Sequence, residues 1–350
     1  MSYDANVRVV EPYVPGEQPD RPGMIKLNTN ECPYPPAPGV EEVLRQFPID
    51  KMRLYPDPEA AALTQAIADY YHVGRDQVFV GVGSDDVLAM SFLTFVNGNK
   101  PILFPDITYS FYDVWANLYR IPFETQALDE QFRIKKEDYI RDCGGIIIPN
   151  PNAPTGVLEG LDTFEEIVKA NPDVVVIIDE AYVDFGGTSC LPLVEKYDNV
   201  LVVQTFSKSR AMAGIRIGFA IGNPRLIKYL NDVKFSFNSY TMNALSLAVG
   251  VKSIEEDAYF KESVDKVVRT REKAKQRLRE MGFSFPDSYS KFLFVTHREK
   301  KAVDLFNALR ERDIFVRYFR QSRIDNYLRI SIGTDEQMEA VYAALEEILQ

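Results

Sequence analysis

The sequence is poor in the residues that most often build metal centres and hydrolytic sites. Its 350 residues include two histidines, His72 and His297, and neither has a neighbour at ligand spacing. The three cysteines are scattered and form no CxxC pair, which is typical of reduced thiols. We therefore expect no metal site and no catalytic triad that depends on histidine.

Long apolar runs and an excess of positive charge are missing as well. No run approaches the ~18 apolar residues of a membrane helix, and the polar, proline-rich first segment has no signal core. The formal net charge of −11 disfavours binding to nucleic acid or anionic lipid. We expect a soluble, cytoplasmic protein that binds neither nucleic acid nor membrane and has small-molecule substrates. An anionic substrate would need a local basic pocket.

Four short apolar runs have the composition of strands that are buried on both faces of a parallel sheet. They span residues 78–82, 146–148, 174–178 and 200–203, and each is followed by polar residues able to do chemistry. Because ligands bind outside the carboxyl ends of such strands, we expect one composite site there.

The chain is long enough for a large and a small domain. We expect an irregular arm at 1–35 that joins the small domain, a large α/β domain at 36–253 and a smaller α+β domain at 254–350. Asp57 and Pro58 predict an N-cap and a first helical residue. A long helix is expected from about Ile254 to Met281, stopped by Gly282. Further elements are expected as strands at 292–296, 315–319 and 328–332 and as helices at 301–312 and from 335.

The most informative segment is TFSKSRAMAGIRIG, residues 205–218. A lysine that bonds an aldehyde must lose its proton near neutral pH, which a partly buried site beside another cation favours. Lys208 follows a buried run, is flanked by hydroxyl groups and has Arg216 eight residues on. A surface lysine after a strand is the ordinary alternative. However, the pattern S-K-x-x-x-x-A-G-x-R-x-G resembles the cofactor-lysine motif of the fold-type I aminotransferases, class II subgroup.

The resemblance covers the chain from Leu27 to Gly333 and implies the fold-type I architecture, with a mainly parallel sheet covered by helices. It implies pyridoxal 5'-phosphate bound to Lys208 as a Schiff base. It also implies that Asp179, in the segment D-E-A-Y, pairs with the protonated ring nitrogen, and that Tyr182 bonds the phenolic oxygen. Taken alone, Asp179 could begin an ordinary loop. A Walker-B role is disfavoured because no G-x-x-x-x-G-K-[ST] loop is present.

The glycine-rich stretch after the first apolar run is expected to bind the cofactor phosphate, since exposed N–H groups at a helix start bind phosphate. A dinucleotide site is a weak alternative because Asp86 replaces the third glycine of G-x-G-x-x-G. The segment also has the features of a plain capped turn. The resemblance implies a phosphate cup built from Gly83, Ser84, Asp85, Ser207 and Arg216, with Thr205 nearby.

The resemblance implies three further cofactor contacts. Tyr109 would stack on the ring, although one tyrosine among 19 is more often part of a core. The family commonly has asparagine before Pro-Thr-Gly, but Ala153 stands there, so Asn152 would substitute. Tyr55, in R-x-Y-P-D-P, would reach the cofactor phosphate of a partner subunit, which implies a homodimer.

Three residues are expected to bind the substrate. Arg329, in LRISIG, matches the anion-binding arginine of the family, and Arg317 and Tyr13 are further candidates. An arginine on an exposed strand is the alternative for both arginines. The opening N-E-x-P-x-P-P most resembles the histidinol-phosphate aminotransferases. It implies amino transfer between L-histidinol phosphate and 2-oxoglutarate, in histidine biosynthesis.

Other functions within the fold stay open. One is a threonine-phosphate decarboxylase-like lyase, and another is a broad aromatic amino-acid aminotransferase. A catalytically silent pyridoxal-phosphate-binding protein is disfavoured because Lys208, Asp179, Tyr182 and Arg216 are all present.

Overall fold

In the computed structural model, which describes residues 3–350, the chain forms three β-sheets of different size. Among these residues no helix is both long and apolar enough to cross a membrane. The strands, numbered in chain order, are β1 Ile25–Lys26, β2 Val78–Gly81, β3 Ile102–Pro105, β4 Phe123–Gln126, β5 Gly145–Pro149, β6 Val176–Asp179, β7 Val200–Thr205, β8 Gly218–Gly222, β9 Phe283–Ser284, β10 Phe292–His297, β11 Ile314–Phe315, β12 Arg317–Tyr318 and β13 Leu328–Ser331. The α-helices are α1 Pro38–Gln46, α2 Ala61–Tyr71, α3 Ser84–Phe95, α4 Tyr112–Tyr119, α5 Leu161–Ala170, α6 Leu191–Lys196, α7 Pro224–Phe237, α8 Ala244–Glu255, α9 Asp257–Glu280, α10 Ala302–Arg310 and α11 Asp335–Leu349.

The largest sheet contains all four strands that the apolar runs predicted. Its order is β2-β8-β7-β6-β5-β3-β4, and every strand runs parallel except β8, which is antiparallel to both of its neighbours. All residues of β2, β5, β6 and β7 are buried, because helices cover both faces of the sheet. The predicted α/β fold with a mainly parallel sheet is confirmed. The carboxyl ends of these four strands lie at one edge.

The strand β8 has no counterpart among the predicted strands. Its sequence, GFAIG, begins and ends with glycine, which disfavours a strand interior. It pairs with β7 after the chain reverses over residues 206–217, and it separates β7 from β2. The reversal keeps both ends of that connection at the edge of the sheet where the predicted site residues lie.

Residues near the C-terminus form a second, antiparallel sheet in the order β12-β13-β10-β9. The arm joins this region because β1 pairs in parallel with β11. The single strand predicted at 315–319 is wrong. Val316 separates two short strands that belong to different sheets, since β11 pairs with β1 and β12 with β13.

Two predicted helix starts are also wrong. Pro58 lies in a turn before α2, and the left-handed Ala60 (φ 51°) precedes the first helical residue, Ala61. Asp57 nevertheless caps this start, because its carboxylate accepts the N–H of Ala61 at 2.7 Å. Ile254 lies in α8, and the long helix α9 begins at Asp257 after a break.

Candidate active site

Two adjoining cavities lie at the carboxyl edge of the large sheet. The first has a volume of about 540 Å³ and the second about 660 Å³. They share Tyr109, Ala153, Tyr182 and Lys208, so Lys208 stands at their junction. The first cavity is also lined by Ser84, Asp85, Pro149, Pro151, Asp179, Ala181, Ser207 and Arg216, and the second by Tyr13, Gly16, Asn28, Thr29, Asn30, Thr108, Ser110, Pro154, Arg317, Phe319 and Arg329.

The connection between β7 and β8 places Lys208 at this junction. The N–H of Phe206 donates to the carbonyl of Ile217 at 3.0 Å and closes the base of the loop. The hydroxyl of Thr205 donates to the same carbonyl at 3.2 Å and accepts the N–H of Ser207 at 3.1 Å. Thr205, predicted to bind the cofactor, lines neither cavity, because its hydroxyl is occupied in holding the loop. The Nζ of Lys208 lies 5.6 Å from the ring centroid of Tyr182.

Asp179 is a buried carboxylate at the end of β6. Its Oδ2 accepts the hydroxyl of Tyr112 at 2.8 Å, and its Oδ1 accepts the N–H of Ala181 at 3.2 Å. Burial raises the pKa of Asp179 to about 6, against the opposing effect of these two hydrogen bonds. A cationic ring nitrogen at this carboxylate would remove the cost of burying its charge. Tyr112 was missed in the sequence, where only the spacing Tyr-x-x-Tyr from Tyr109 marks it.

A cup for an anion lies between the start of α3 and Arg216. Arg216 donates to the Oγ of Ser207 and to Asp85, both at 3.2 Å. The backbone here is packed too tightly for side chains. A Cβ on Gly83 (φ 83°) would lie 2.4 Å from the Nη2 of Arg216, and one on Gly218 would lie 2.2 Å from the carbonyl carbon of Gly83. The glycines therefore keep the first N–H groups of the helix and the guanidinium close together.

Asp85 turns its carboxylate toward groups of the protein. Besides pairing with Arg216, it accepts the hydroxyl of Tyr109 at 2.8 Å. Burial and this neighbouring carboxylate raise the pKa of Tyr109 well above its ordinary value. Tyr109 is thereby fixed against the first cavity as a neutral aromatic ring. An anion that enters the cup would compete with Asp85 for Arg216.

The second cavity presents two arginines side by side. Arg317 on β12 lies opposite Arg329 on β13 in the antiparallel register. Arg329 donates to the carbonyl of Asn28 at 2.8 Å, while its buried Nε has no partner. Within residues 3–350 no carboxylate forms a salt bridge with either arginine. Burial lowers the pKa of Arg329, and the charge of Arg317 acts in the same direction. Such a pair favours an anionic ligand.

The remaining predicted residues occupy different places. Tyr13 lines the second cavity and stacks on Phe111, with ring centroids 4.1 Å apart. Tyr55 lines neither cavity of its own chain. It is 81% exposed and stacks on Tyr240 at 4.6 Å.

Asn152 also lines neither cavity. Its amide is turned away and donates to the carbonyl of Ile107 at 3.0 Å and to Thr155 at 3.1 Å. The proposed substitution for the missing asparagine is therefore wrong, because the neighbouring Ala153 faces the cavities instead.

The first cavity fits pyridoxal phosphate in its chemistry. Lys208 offers an amine for the aldehyde, and the buried carboxylate of Asp179 offers a partner for a protonated ring nitrogen. Arg216, Ser207 and the cradle at Gly83, which any Cβ would fill, offer donors for a phosphate.

Comparisons with known proteins agree with this arrangement. The family described as Aminotransferase class I and II matches residues 22–345. The histidinol-phosphate aminotransferase of Lactococcus lactis subsp. cremoris (strain MG1363) is 50% identical over 350 residues, which cover 100% of this chain and 98% of that protein. Histidinol-phosphate aminotransferase 1 of Hydrogenovibrio crunogenus is 52% identical over 344 residues, covering 98% and 97%.

A solved structure shows the same fold. The histidinol-phosphate aminotransferase of Sinorhizobium meliloti, in complex with pyridoxal-5'-phosphate, superposes with a TM-score of 0.86 at 23% identity and covers 93% of this chain and 90% of that one. The family match spans most of the sequence, and the two relatives align with nearly all of it. The chain therefore belongs to the class I and II aminotransferases and, within them, to the histidinol-phosphate aminotransferases.

Proposed function

We propose that this protein uses pyridoxal phosphate to move an amino group between L-histidinol phosphate and 2-oxoglutarate. The observation that carries the proposal is the position of Lys208, between a cavity that fits the cofactor and one that holds two arginines with no carboxylate partner among residues 3–350. The full-length similarity to histidinol-phosphate aminotransferases supports the substrate. When bound, pyridoxal phosphate supplies an aldehyde that bonds amines and a protonated ring that takes up electrons released at the substrate's Cα.

The residues of the first cavity would hold the cofactor and move the proton. Lys208 would bind it covalently and, once displaced by the substrate amine, would take the Cα proton as a general base and deliver it to the former aldehyde carbon of the cofactor. Asp179 keeps the ring nitrogen protonated, since its buried charge is stabilised by a cation. Tyr182 donates to the phenolic oxygen. Arg216 holds the phosphate together with Ser207, Ser84 and the N–H groups at the start of α3.

The residues of the second cavity would bind the rest of the substrate. The two substrates present different anions, a phosphate ester in one half-reaction and a dicarboxylate in the other. Arg329 and Arg317 lie opposite each other and can serve both, because a guanidinium binds phosphate or carboxylate in a bidentate fork. Tyr13 borders the same space from the arm.

The test is a comparison of substrates on one preparation. Protein loaded with pyridoxal phosphate should convert L-histidinol phosphate only when 2-oxoglutarate is present, and Lys208→Ala should abolish the reaction. Carbon dioxide release from threonine phosphate, without need of an oxo acid, would instead show a decarboxylase. Faster turnover of phenylalanine or tyrosine than of histidinol phosphate would show a broad aromatic aminotransferase. Either result would contradict the proposal.

We also propose that two chains form a homodimer around Tyr55. Large apolar side chains are unusually exposed near this residue, which favours a protein interface. Since Tyr55 lies outside the cavities of its own chain, it is free to reach those of a partner. The exposed side chains of the two segments that meet at the Tyr55–Tyr240 contact are Ile49, Met52, Leu54, Tyr55, Phe235, Phe237 and Tyr240.

Hybrid dimers test the shared site. In a dimer of one Tyr55→Phe chain and one Lys208→Ala chain, a tyrosine acting across the interface leaves one site intact and the other doubly impaired. The hybrid should then have about half of the wild-type activity. Activity no higher than half that of the Tyr55→Phe homodimer would place the tyrosine in its own chain's site, and an active monomer would exclude the shared site.

The division into an arm at 1–35, a large domain at 36–253 and a small domain at 254–350 is likewise our proposal. It is supported by the separate sheets and by the pairing of β1 with β11. Limited proteolysis should cut first at the breaks nearest these boundaries, which lie before α1 and between α8 and α9, since residue 253 itself lies within α8. A cytoplasmic location stays a prediction, which fractionation of cells that contain the protein would check.

A further inference from the structure

Two buried polar side chains, those of Ser331 and Asn30, connect β13 to Tyr182. The amide nitrogen of Asn30, in the arm, lies 2.8 Å from the hydroxyl oxygen of Tyr182. The amide oxygen of Asn30 lies 2.7 Å from the hydroxyl of Ser331, which also accepts the backbone N–H of Asn30 at 3.2 Å. Tyr182 is 8% exposed, and Asn30 and Ser331 are each 2% exposed. The contacts are therefore shielded from water.

The hydrogen bonds fix the direction in which each proton points. Because the hydroxyl of Ser331 already accepts a backbone N–H, its own proton is available for the amide oxygen of Asn30. The nitrogen of that amide then faces Tyr182 and donates to it. A tyrosine oxygen that accepts this bond keeps its own proton free for another acceptor. The left-handed backbone of Asn30 (φ 57°), a conformation asparagine tolerates better than most residues, supports this placement.

The neighbouring residues of the cavity wall determine how much the hydroxyl of Tyr182 matters. Ala153 faces both cavities and offers no hydrogen bond, and the amide of Asn152 is turned toward Ile107 and Thr155. Tyr182, which lines both cavities, is thus the hydroxyl expected to donate to the phenolic oxygen. The orientation of its proton decides whether a phenolic oxygen there receives a hydrogen bond.

We propose that Asn30 is a positioning residue, which turns the hydroxyl proton of Tyr182 toward the phenolic oxygen of the bound cofactor and strengthens it as a donor. The inference rests on the proposed function. Donation to Tyr182 polarises its O–H bond, since hydrogen bonds in a chain reinforce one another. Ser331 orients Asn30 in turn. Because Ser331 lies two residues after Arg329 on the same face of β13, the chain of bonds links the anion-binding strand to the cofactor.

Two charged groups, Lys208 and Arg329, face Tyr182. Lys208 lies over its ring, and Arg329 is close enough for its charge to be coupled to Tyr182. Asn30 is neutral, so its removal changes the direction of a proton without changing the charge of the site. The consequence is measurable in the bound cofactor, whose absorbance changes as its linkage to lysine gains or loses a proton. A donor to the phenolic oxygen favours the deprotonated form and lowers the pH at which the absorbance changes.

The experiment is an absorbance titration of the protein loaded with pyridoxal phosphate, without substrate. Asn30→Gly deletes the amide and keeps the left-handed backbone. Its midpoint should rise by about half a pH unit or more. Ser331→Ala, which preserves the backbone, should raise it by a smaller amount. Asn171→Ala is the matched control, because this buried asparagine donates to the carbonyls of Tyr139 and Ile167, away from the cavities. Its midpoint should equal the wild-type value.

A second background separates positioning from general packing. In Tyr182→Phe the phenolic oxygen has lost its donor, so adding Asn30→Gly should shift the midpoint no further. Equal shifts in both backgrounds, or a wild-type midpoint in Asn30→Gly, would overturn the inference alone. Should Asn30→Gly fail to fold, Ser331→Ala carries the same test. A wild-type protein that gains no absorbance band on loading would overturn the proposed function, and the inference with it.

Discussion

Replacing Asp179 by asparagine should stabilise the cofactor-free protein while it removes activity. The buried carboxylate has a pKa of about 6, against an ordinary value of 3.8. Because the folded state holds the proton more tightly than the unfolded state, ionising Asp179 costs stability as the pH rises from about 4 to 6. A difference of about two pKa units corresponds to about 3 kcal/mol once both states are ionised.

Asparagine avoids this cost and keeps most of the local bonds. Its amide oxygen can accept the N–H of Ala181, and its amide nitrogen can donate to the hydroxyl of Tyr112. At pH 8 the cofactor-free variant should be more stable than the wild type by about 3 kcal/mol, or about 4 °C in Tm for a chain of this length. Near pH 5 the gain should fall to roughly half.

Adding pyridoxal phosphate should stabilise the wild type more than Asp179→Asn. The wild-type carboxylate gains a cationic partner, so the cofactor should raise its Tm more than that of Asp179→Asn. Thermal unfolding at pH 5 and pH 8, with and without cofactor, gives four Tm values for each protein. Glu180→Gln is the control, because Glu180 is buried next to Asp179 but lines neither cavity. Its response to cofactor should match the wild type. A cofactor-free Asp179→Asn that is less stable than the wild type at pH 8 would refute the reasoning.

Two further predictions concern the cup and the anion site. Gly218→Ala should raise the Kd for pyridoxal phosphate at least about tenfold, because its Cβ would push the backbone of Gly83 out of the cup. Equilibrium titration measures this, and Gly214→Ala, which has open space around its Cβ, should bind normally. Arg329→Ala should lower kcat/KM for both L-histidinol phosphate and 2-oxoglutarate by about two to three orders of magnitude, through loss of a desolvated ion pair. A loss confined to one substrate would contradict a shared anion site.

The strongest predictions from the sequence concerned strands that are buried on both faces. The apolar runs that became β2, β5, β6 and β7 are readable because burial on both faces leaves little choice of residue. Their common direction then placed Asp179 and Lys208 at one edge. The strand β8 was missed because it begins with Gly218, which serves the close approach of Gly83, a tertiary requirement that local propensity opposes.

The contacts that sequence reasoning missed are those made between distant segments. No motif assigned a role to Tyr112 in the sequence, whereas the fold places its hydroxyl against Asp179. Asn30 belonged to a motif, but its contact with Tyr182 joins residues 152 positions apart. The prediction for Asn152 was wrong for the opposite reason. Its position in the motif was close to that of the expected residue, yet the loop turned its amide away from the cavity.

The pairing of β1 with β11 has a consequence for synthesis of the chain. Residues 25–26 are made early but cannot find residues 314–315 until nine-tenths of the protein has left the ribosome. The residues that line the first cavity have all been made once the chain reaches Arg216, whereas the second cavity also needs Arg317 and Arg329. The residues of the cofactor site are thus synthesised well before the two arginines of the substrate site. The arm must wait unpaired through most of translation.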